Sequence, residues 1–408
     1  MMKRIAVIGA GPAGLLAAAY AKNENTSVEI FDGNEKVGKK LFLTGKGRCN
    51  ITNIASKEEF MQNIPRNPRF LYSAFNTFFN SDIISIIEKN GVPTKVERGG
   101  RVFPASDKSS DVIKALLKFV SGRGVDINLN TRIKSVEKTD AGFLLNMYDG
   151  TSAGFDSVII ATGGVSYPST GSTGDGYEFA RSFGHTIIKT VPSLISLITE
   201  EKWTGELAGL SLKNVVLTAY KGKNKVYSEL GEMLFTHTGV SGPLVLSAST
   251  RIADEPQGAK LFIDMKPALD EATLEARVLR DMEQNKHRQM KNAIQGLLPS
   301  RMVPIVLMLA GIDPEKTTDS FTKAERRQLV AVLKSIPLNV KAASDISEAI
   351  ITRGGINIKE VNPKTMESKL VPGLYFAGEV LDVDAYTGGF NLQIAYSTGV
   401  AAGLAAAE

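Results

Sequence analysis

The sequence predicts an α/β protein: a doubly wound parallel-sheet domain built from both termini, interrupted by an antiparallel β-barrel-like domain and a small helical subdomain. Three observations carry this reading. A strand, a glycine-rich turn and a helix open the chain over residues 3–22. A second buried strand, a glycine-rich turn and a small-residue helix close it from residue 374. Between them, after Pro192, the pattern changes to short alternating runs that enclose a helical block.

Residues 3–8, KRIAVI, read as a short buried strand, Pro12 to Lys22 as a helix and 27–31 as the next strand. This β-α-β unit demands a parallel sheet and a right-handed crossover. Residues 81–90 and 109–120 are amphipathic helix candidates, and 125–129, 131–138 and 142–148 read as strands of a small meander. Residues 155–161 form a strand ending in Thr162-Gly163-Gly164. Over 193–265, runs such as LKNVVLTAY, KVYSEL and KLFID alternate as antiparallel strands do, and 268–337 is largely helical. Residues 342–358 return through the β domain, 374–377 make one more buried strand, and a terminal helix begins near Asn391. The expected boundaries are 1–190 and 352–408 for the two-part α/β domain, 191–267 and 338–351 for the barrel-like domain, and 268–337 for the helical insertion.

Composition narrows the function classes. A chain of 408 residues buries a large core without staples. The single cysteine, Cys49, excludes an internal disulfide, a thiolate metal cluster and a redox-active cysteine pair, so no metal site is expected. One cysteine suits a reducing cytoplasm, the expected location. The formal charge of +5 is dispersed, and no nucleic-acid partner is expected. No stretch reaches the roughly 20 apolar residues that span a bilayer, so no membrane partner is expected either.

The sharpest local signal is Gly9-Ala10-Gly11-Pro12-Ala13-Gly14, placed between strand and helix as a dinucleotide fingerprint requires. Gly9 permits the tight turn, Gly11 lets a pyrophosphate approach the helix N-terminus, and Gly14 allows close helix–strand packing. Pro12 sits where its missing N–H costs nothing. Asp32 ends the second strand, where a carboxylate accepts bonds from adenosine ribose hydroxyls. The fingerprint does not choose between NAD and FAD. An NAD dehydrogenase without flavin would continue directly with another β-α-β unit. Here Gly38-Lys39-Lys40 and Thr44-Gly45-Lys46-Gly47-Arg48-Cys49-Asn50 follow, a stretch able to line an extended cofactor and neutralise its phosphates or an anionic flavin ring.

At the other end, LYFAGEVLD (374–382) leads into Tyr386-Thr387-Gly388-Gly389-Phe390-Asn391-Leu392-Gln393. In a two-part FAD site this strand end lies beside the pyrophosphate loop. Gly378 then permits close approach, Glu379 bonds a ribityl hydroxyl, and the helix from Asn391 aims its amides at the flavin.

These segments resemble a known family, the bacterial bile-acid-reductase-like and aminoacetone-oxidase-like FAD-binding flavoproteins. The matching segments run from VIGAGPAGLLAA (7–18) through GKKLFLTGKGRCNITN (38–53), GRVFPASDKSSDV (100–112), ATGGVSYPSTGSTGDGY (161–177) and FTHTGVSGPLVLSAS (235–249) to FAGEVLDVDAYTGGFNLQIAYSTG (376–399). The resemblance implies a Rossmann-like FAD domain made of both termini. It also implies noncovalent FAD at Gly9, Gly11, Gly14, Asp32, Lys39, Arg48, Gly163, Gly378, Glu379, Gly389, Asn391 and Leu392. Pro12, Ala13, Lys40, Cys49, Asn50, Thr162 and Gly388 lie in the same segments and join the expected cofactor site. Lys46 departs from the pattern, which often has another glycine there. The family's chemistry divides between nicotinamide-driven enone reduction and amine oxidation with O₂.

No second strand–GxGxxG–helix unit occurs after residue 180, so NAD(P)H would dock only transiently as electron donor. The expected reaction is NAD(P)H-linked reduction of a small apolar conjugated carbonyl compound. An FAD-dependent amine oxidase and a flavin-free NAD-dependent dehydrogenase are the alternatives. Tyr167, after the ATGG strand end, is the first candidate proton donor, and the alternative for it is a packing tyrosine beside Pro168. His237, at a turn of the β domain, is the second, able to relay a proton near neutral pH or simply to serve as a structural histidine.

Overall fold

The computed structural model describes residues 2–252 and 254–408, with the Lys46 side chain outside that description. The chain divides into two compact units, Met1–Ser193 with Asp345–Glu408, and Leu194–Ser344.

The first unit is built on a five-stranded parallel sheet. Its strands, in spatial order, are Leu374–Phe376, Ser157–Ile160, Lys3–Ile8, Thr26–Phe31 and Asp126–Asn128. Ile5 pairs with both Ser157 and Val28, which puts the first strand at the centre. The central strands are apolar because both faces are covered, as in other parallel sheets. One cover is a helix pair, Pro12–Ala21 and Phe390–Ala407. A Cβ at Gly399 would lie 2.3 Å from the Ala13 carbonyl oxygen, and one at Gly403 would lie 2.2 Å from that of Ala17. Those two contacts fix the helices side by side and pointing the same way. The terminal helix starts roughly 12 Å before the first along their shared direction.

Three expectations change. Residues 126–128 do not belong to the meander. They lie parallel to Thr26–Phe31 at the sheet edge, because the helix Ser109–Ser121 intervenes as a crossover. The meander itself is Ile133–Thr139, Gly142–Met147 and Ser152–Phe155, and it takes Phe155 from the strand expected over 155–161. Residues 187–193 and 351–356 form an antiparallel pair within the first unit. The units therefore meet at 193/194 and 344/345, where the sequence reading put 190/191 and 351/352. Alternation shows that a segment is a strand but not which sheet receives it.

The second unit holds a closed barrel of six antiparallel strands in the order Leu197–Thr199, Gly239–Ser241, Asn224–Phe235, Ser211–Lys221, Lys260–Asp264 and Ile336–Ala343. The helices Glu271–Gln284, Val303–Ala310 and Lys323–Lys334 share one core with it, Leu274, Val278 and Leu333 packing in the same cluster as Leu261, Ile263 and Ile336. The helical segment is thus continuous with the barrel core.

Candidate functional site

The three glycines of the fingerprint face different surroundings. Gly9 has φ 109, and a Cβ there would sit 2.5 Å from the Ala161 carbonyl oxygen. A Cβ at Gly14 would sit 1.9 Å from the Gly9 carbonyl oxygen. Around Gly11, by contrast, a Cβ would meet nothing within 4 Å. Gly11 is the N-cap of the helix Pro12–Ala21, and no side chain caps that end. The result is an open surface of uncapped amides at a helix N-terminus, the arrangement that receives a pyrophosphate. Asp32 holds the loop: its Oδ2 accepts from the Ala10 amide at 2.7 Å, and its Oδ1 accepts from the amide and side chain of Asn34 at 2.8 Å each.

The C-terminal segment meets this loop directly. A Cβ at Gly378 would come 2.8 Å from the Ala13 Cβ. The helix Phe390–Ala407 likewise begins without a side-chain cap, on Gly389. Gly389 has φ 96 and packs on Thr52, while the Gly388 carbonyl accepts from Asn53 Nδ2 at 3.0 Å. Asn391 is engaged with its own loop, accepting from the Ala385 amide at 2.9 Å and donating to the Ala385 carbonyl at 2.8 Å. Leu392 is half-buried beside it. Two positive helix ends thus point the same way, roughly 12 Å apart along the axis. That suits an elongated ligand with negative charge at two places.

Other expected residues are already committed. Both Glu379 carboxylate oxygens accept from Lys40 Nζ, at 2.9 and 2.7 Å, and Oε1 also accepts from Ser166 Oγ at 2.9 Å and the Thr352 amide at 2.8 Å. These donors crowd Oε1, and Oε2 is left with Lys40 as its one protein donor among the described residues. Lys39 pairs with the exposed Glu35 at 3.2 Å. The Arg48 guanidinium pairs with Glu97 and Asp107 and lies 4.3 Å above the Phe103 ring. Glu97 first and Asp107 second push its pKa up, and they neutralise the charge that a phosphate would need. Cys49 is fully buried with φ 61, and burial pushes its thiol up to about 12, which removes a thiolate nucleophile at neutral pH.

Some buried side-chain polar atoms have no hydrogen-bond partner among the described residues. Among the expected residues these are Asn50 Oδ1 and Thr162 Oγ1. Gly163, next to Thr162, has φ 76. Tyr167 is half-buried and holds φ 50, a left-handed conformation uncommon for a residue with a Cβ. His237 belongs to the second unit, exposed in the turn between the strands Asn224–Phe235 and Gly239–Ser241. Sequence reading missed Ser166, Thr352 and Asp384. Asp384 is 1 % exposed; its Oδ2 accepts from Ser193 Oγ at 2.8 Å and its Oδ1 has no partner. Burial raises its pKa to about 6, against the opposing effects of Ser193, Arg353 and Arg66. The doubled aspartate in DVDAY was the available signal.

The parallel sheet, the open glycine turn at its central strand and the inserted barrel define a Rossmann-like FAD-dependent oxidoreductase. The residues present are compatible with that cofactor: the helix end at Gly11 and the helix end at Gly389 both lack a side-chain cap, and the Thr162 and Asn50 side-chain oxygens have no hydrogen-bond partner. The model of the HI0933-like protein Rossmann domain family matches residues 3–405, and the chain belongs to that family. It is 31% identical to the 3-dehydro-bile acid delta(4,6)-reductase of Clostridium scindens, over 100% of both chains. It is 31% identical to a ribosomal RNA dihydrouridine synthase of Escherichia coli, over 96% of this chain and 95% of that one. The protein of the same name from Haemophilus influenzae is 32% identical, over 98% and 97%. Among solved structures, 3-ketosteroid-delta4-(5alpha)-dehydrogenase from Rhodococcus jostii RHA1 shares the fold with a TM-score of 0.50 at 14% identity, over 100% of this chain and 97% of that one. No helix among the described residues is long and apolar enough to cross a membrane.

Proposed function

We propose that this chain is an FAD-dependent reductase of a carbon–carbon double bond conjugated to a carbonyl, with a reduced nicotinamide docking transiently as electron donor. The observation that carries the cofactor is the open surface at Gly11, flanked by two glycines that admit no side chain. The relatives support the reaction. A delta(4,6) double bond next to a 3-oxo group, and the uracil double bond that is lost in dihydrouridine, are both conjugated to a carbonyl. Two relatives with different acceptors thus share one transformation.

In this reading Gly9, Gly11, Pro12, Ala13 and Gly14 form the pyrophosphate turn, and Asp32 faces the adenosine ribose. Asn50, Thr162, Gly163 and Gly378 line the middle of the cofactor, and Gly388, Gly389, Asn391 and Leu392 hold its flavin end. Lys39 stands at the edge. Lys40 and Glu379 back the site as a pair, while Arg48 and Cys49 brace the adjoining loop. Bound FAD supplies the hydride chemistry. The chain supplies orientation, exclusion of water and a proton: the Tyr167 phenol protonates the acceptor as negative charge builds on its carbonyl.

A second reading places the double bond in a uracil of RNA. The two relatives named for ribosomal RNA favour it. Anaerobic stopped-flow spectroscopy tests both. NADH or NADPH should bleach the flavin band, and a 3-oxo-4-ene steroid should restore it without oxygen. Restoration only by a uridine-bearing RNA would select the second reading. Bleaching only by an amine, with recovery only in air, would replace both with an oxidase.

A further inference from the structure

Tyr167 is held in an unfavourable backbone conformation by a buried network to which its own side chain does not belong. Its φ of 50 and ψ of 60 are left-handed, and Pro168 behind it favours an extended backbone instead. On the preceding side, Thr352 Oγ1 accepts from the amides of Val165 at 2.8 Å and Ser166 at 3.1 Å. Ser166 Oγ accepts from Lys40 Nζ at 2.6 Å and donates to Glu379 Oε1 at 2.9 Å. The Thr352 amide donates to the same Glu379 oxygen at 2.8 Å. On the following side, the Tyr167 carbonyl accepts from the Thr170 amide at 2.8 Å and hydroxyl at 2.7 Å. Thr352 and Ser166 are both fully buried. A Cβ at Gly164 would stand 2.3 Å from Thr352 Oγ1, so the loop is shaped around that hydroxyl.

We infer that Thr352, acting with Ser166 and the Lys40–Glu379 pair, is a positioning residue that fixes the direction of the Tyr167 phenol. Buried polar bonds persist against backbone strain where the surrounding structure over-determines the strained residue, and such residues gather at functional sites. Four segments far apart in sequence converge here, and the residue they lock is the candidate proton donor. Loss of the Thr352 hydroxyl would let residues 165–167 relax toward the extended form and swing the ring away, while the cofactor turn at Gly9–Gly14 stays intact. This inference rests on the reading of Tyr167 as donor.

The test compares Thr352→Val, Thr352→Ser, Tyr167→Phe and the double variant Thr352→Val/Tyr167→Phe, each loaded with FAD. The flavin is photoreduced without oxygen and mixed with cyclohexenone, and the limiting rate of reoxidation is read at saturation. Carbon-13 tyrosine NMR of the same proteins follows the Tyr167 ring, assigned by its absence in Tyr167→Phe. Thr352→Val is expected to slow reoxidation roughly 10- to 100-fold with unchanged FAD content and to shift the Tyr167 resonance. Thr352→Ser should recover both, and Thr352→Val should add nothing in the Tyr167→Phe background. Equal slowing in both backgrounds would overturn the inference, as would a slow Tyr167→Phe beside an unaffected Thr352→Val. If Tyr167→Phe reoxidises at the normal rate, the donor reading fails by itself. The resonance then decides the clamp, and an unmoved Tyr167 signal in Thr352→Val overturns it. Should Thr352→Val not fold, Ser166→Ala is judged by the same criteria.

Discussion

Two glycine-bearing loops of the first unit use their polar groups in opposite ways. The turn Gly9–Gly14 leaves its helix end uncapped, with open space at Gly11. The loop Thr44–Asn50 looks more phosphate-seeking in sequence, yet Arg48 is matched by Glu97 and Asp107, and Lys95 joins the same cluster through Asp107 at 2.6 Å. A loop binds an anion through donors it has not already spent on itself, and side-chain charge is a poor guide to that. The carboxylates obey the same distinction: buried Asp384 retains a partnerless oxygen, whereas half-buried Glu379 accepts from Lys40 with both oxygens and from Ser166 and Thr352 with one.

Substitutions can break or sharpen this contrast. The largest effect is expected at Gly14, where a methyl group would overlap the Gly9 carbonyl. Gly14→Ala should destabilise the protein by roughly 3 kcal/mol or more and empty it of FAD, as measured by denaturant unfolding. A stable, yellow Gly14→Ala would show that the packing is not as tight as described.

Asp384→Asn comes next, and its effect depends on pH. The folded pKa is raised from 3.8 to about 6, so the native carboxyl favours its proton. The associated stability is complete below pH 4 and is lost as pH rises through about 6. Asp384→Asn should therefore match the parent near pH 4 and exceed it above pH 7, by up to roughly 3 kcal/mol. Parallel stability curves for the two proteins between pH 4 and 8 would deny the carboxyl its raised pKa.

Gly11→Val adds bulk only to open space, so it should fold with an unchanged melting temperature. Its FAD affinity should fall roughly 10- to 100-fold, the worth of one or two bonds to a charged group. Equilibrium titration of the apoprotein with FAD measures this, and full affinity would place the pyrophosphate elsewhere. The smallest effect is expected for Arg48→Ala. Its partners are carboxylates at a partly exposed site, so FAD affinity should hold and the melting temperature should move by about 2 °C or less. A large loss of FAD from Arg48→Ala, as read in the same titration, would collapse the contrast between the loops.

The sequence by itself determined the features that depend on neighbours in the chain. A strand, a glycine turn, a helix and an acid at Asp32 are legible because each follows from local backbone freedom and periodicity. The same holds for the barrel runs and the terminal small-residue helix. Tertiary structure alone decided which polar groups remained free. Glu379 meets Lys40 across 339 residues, and Thr352 meets Ser166 across 186. Arg48 finds Asp107 59 residues away. Hydrogen-bond satisfaction is settled by whichever donors and acceptors folding brings within 3 Å or so, and no local pattern encodes that. The parallel docking of the first and last helices is of the same kind: glycines at 399 and 403 permit it, but only the fold brings Ala13 and Ala17 to meet them.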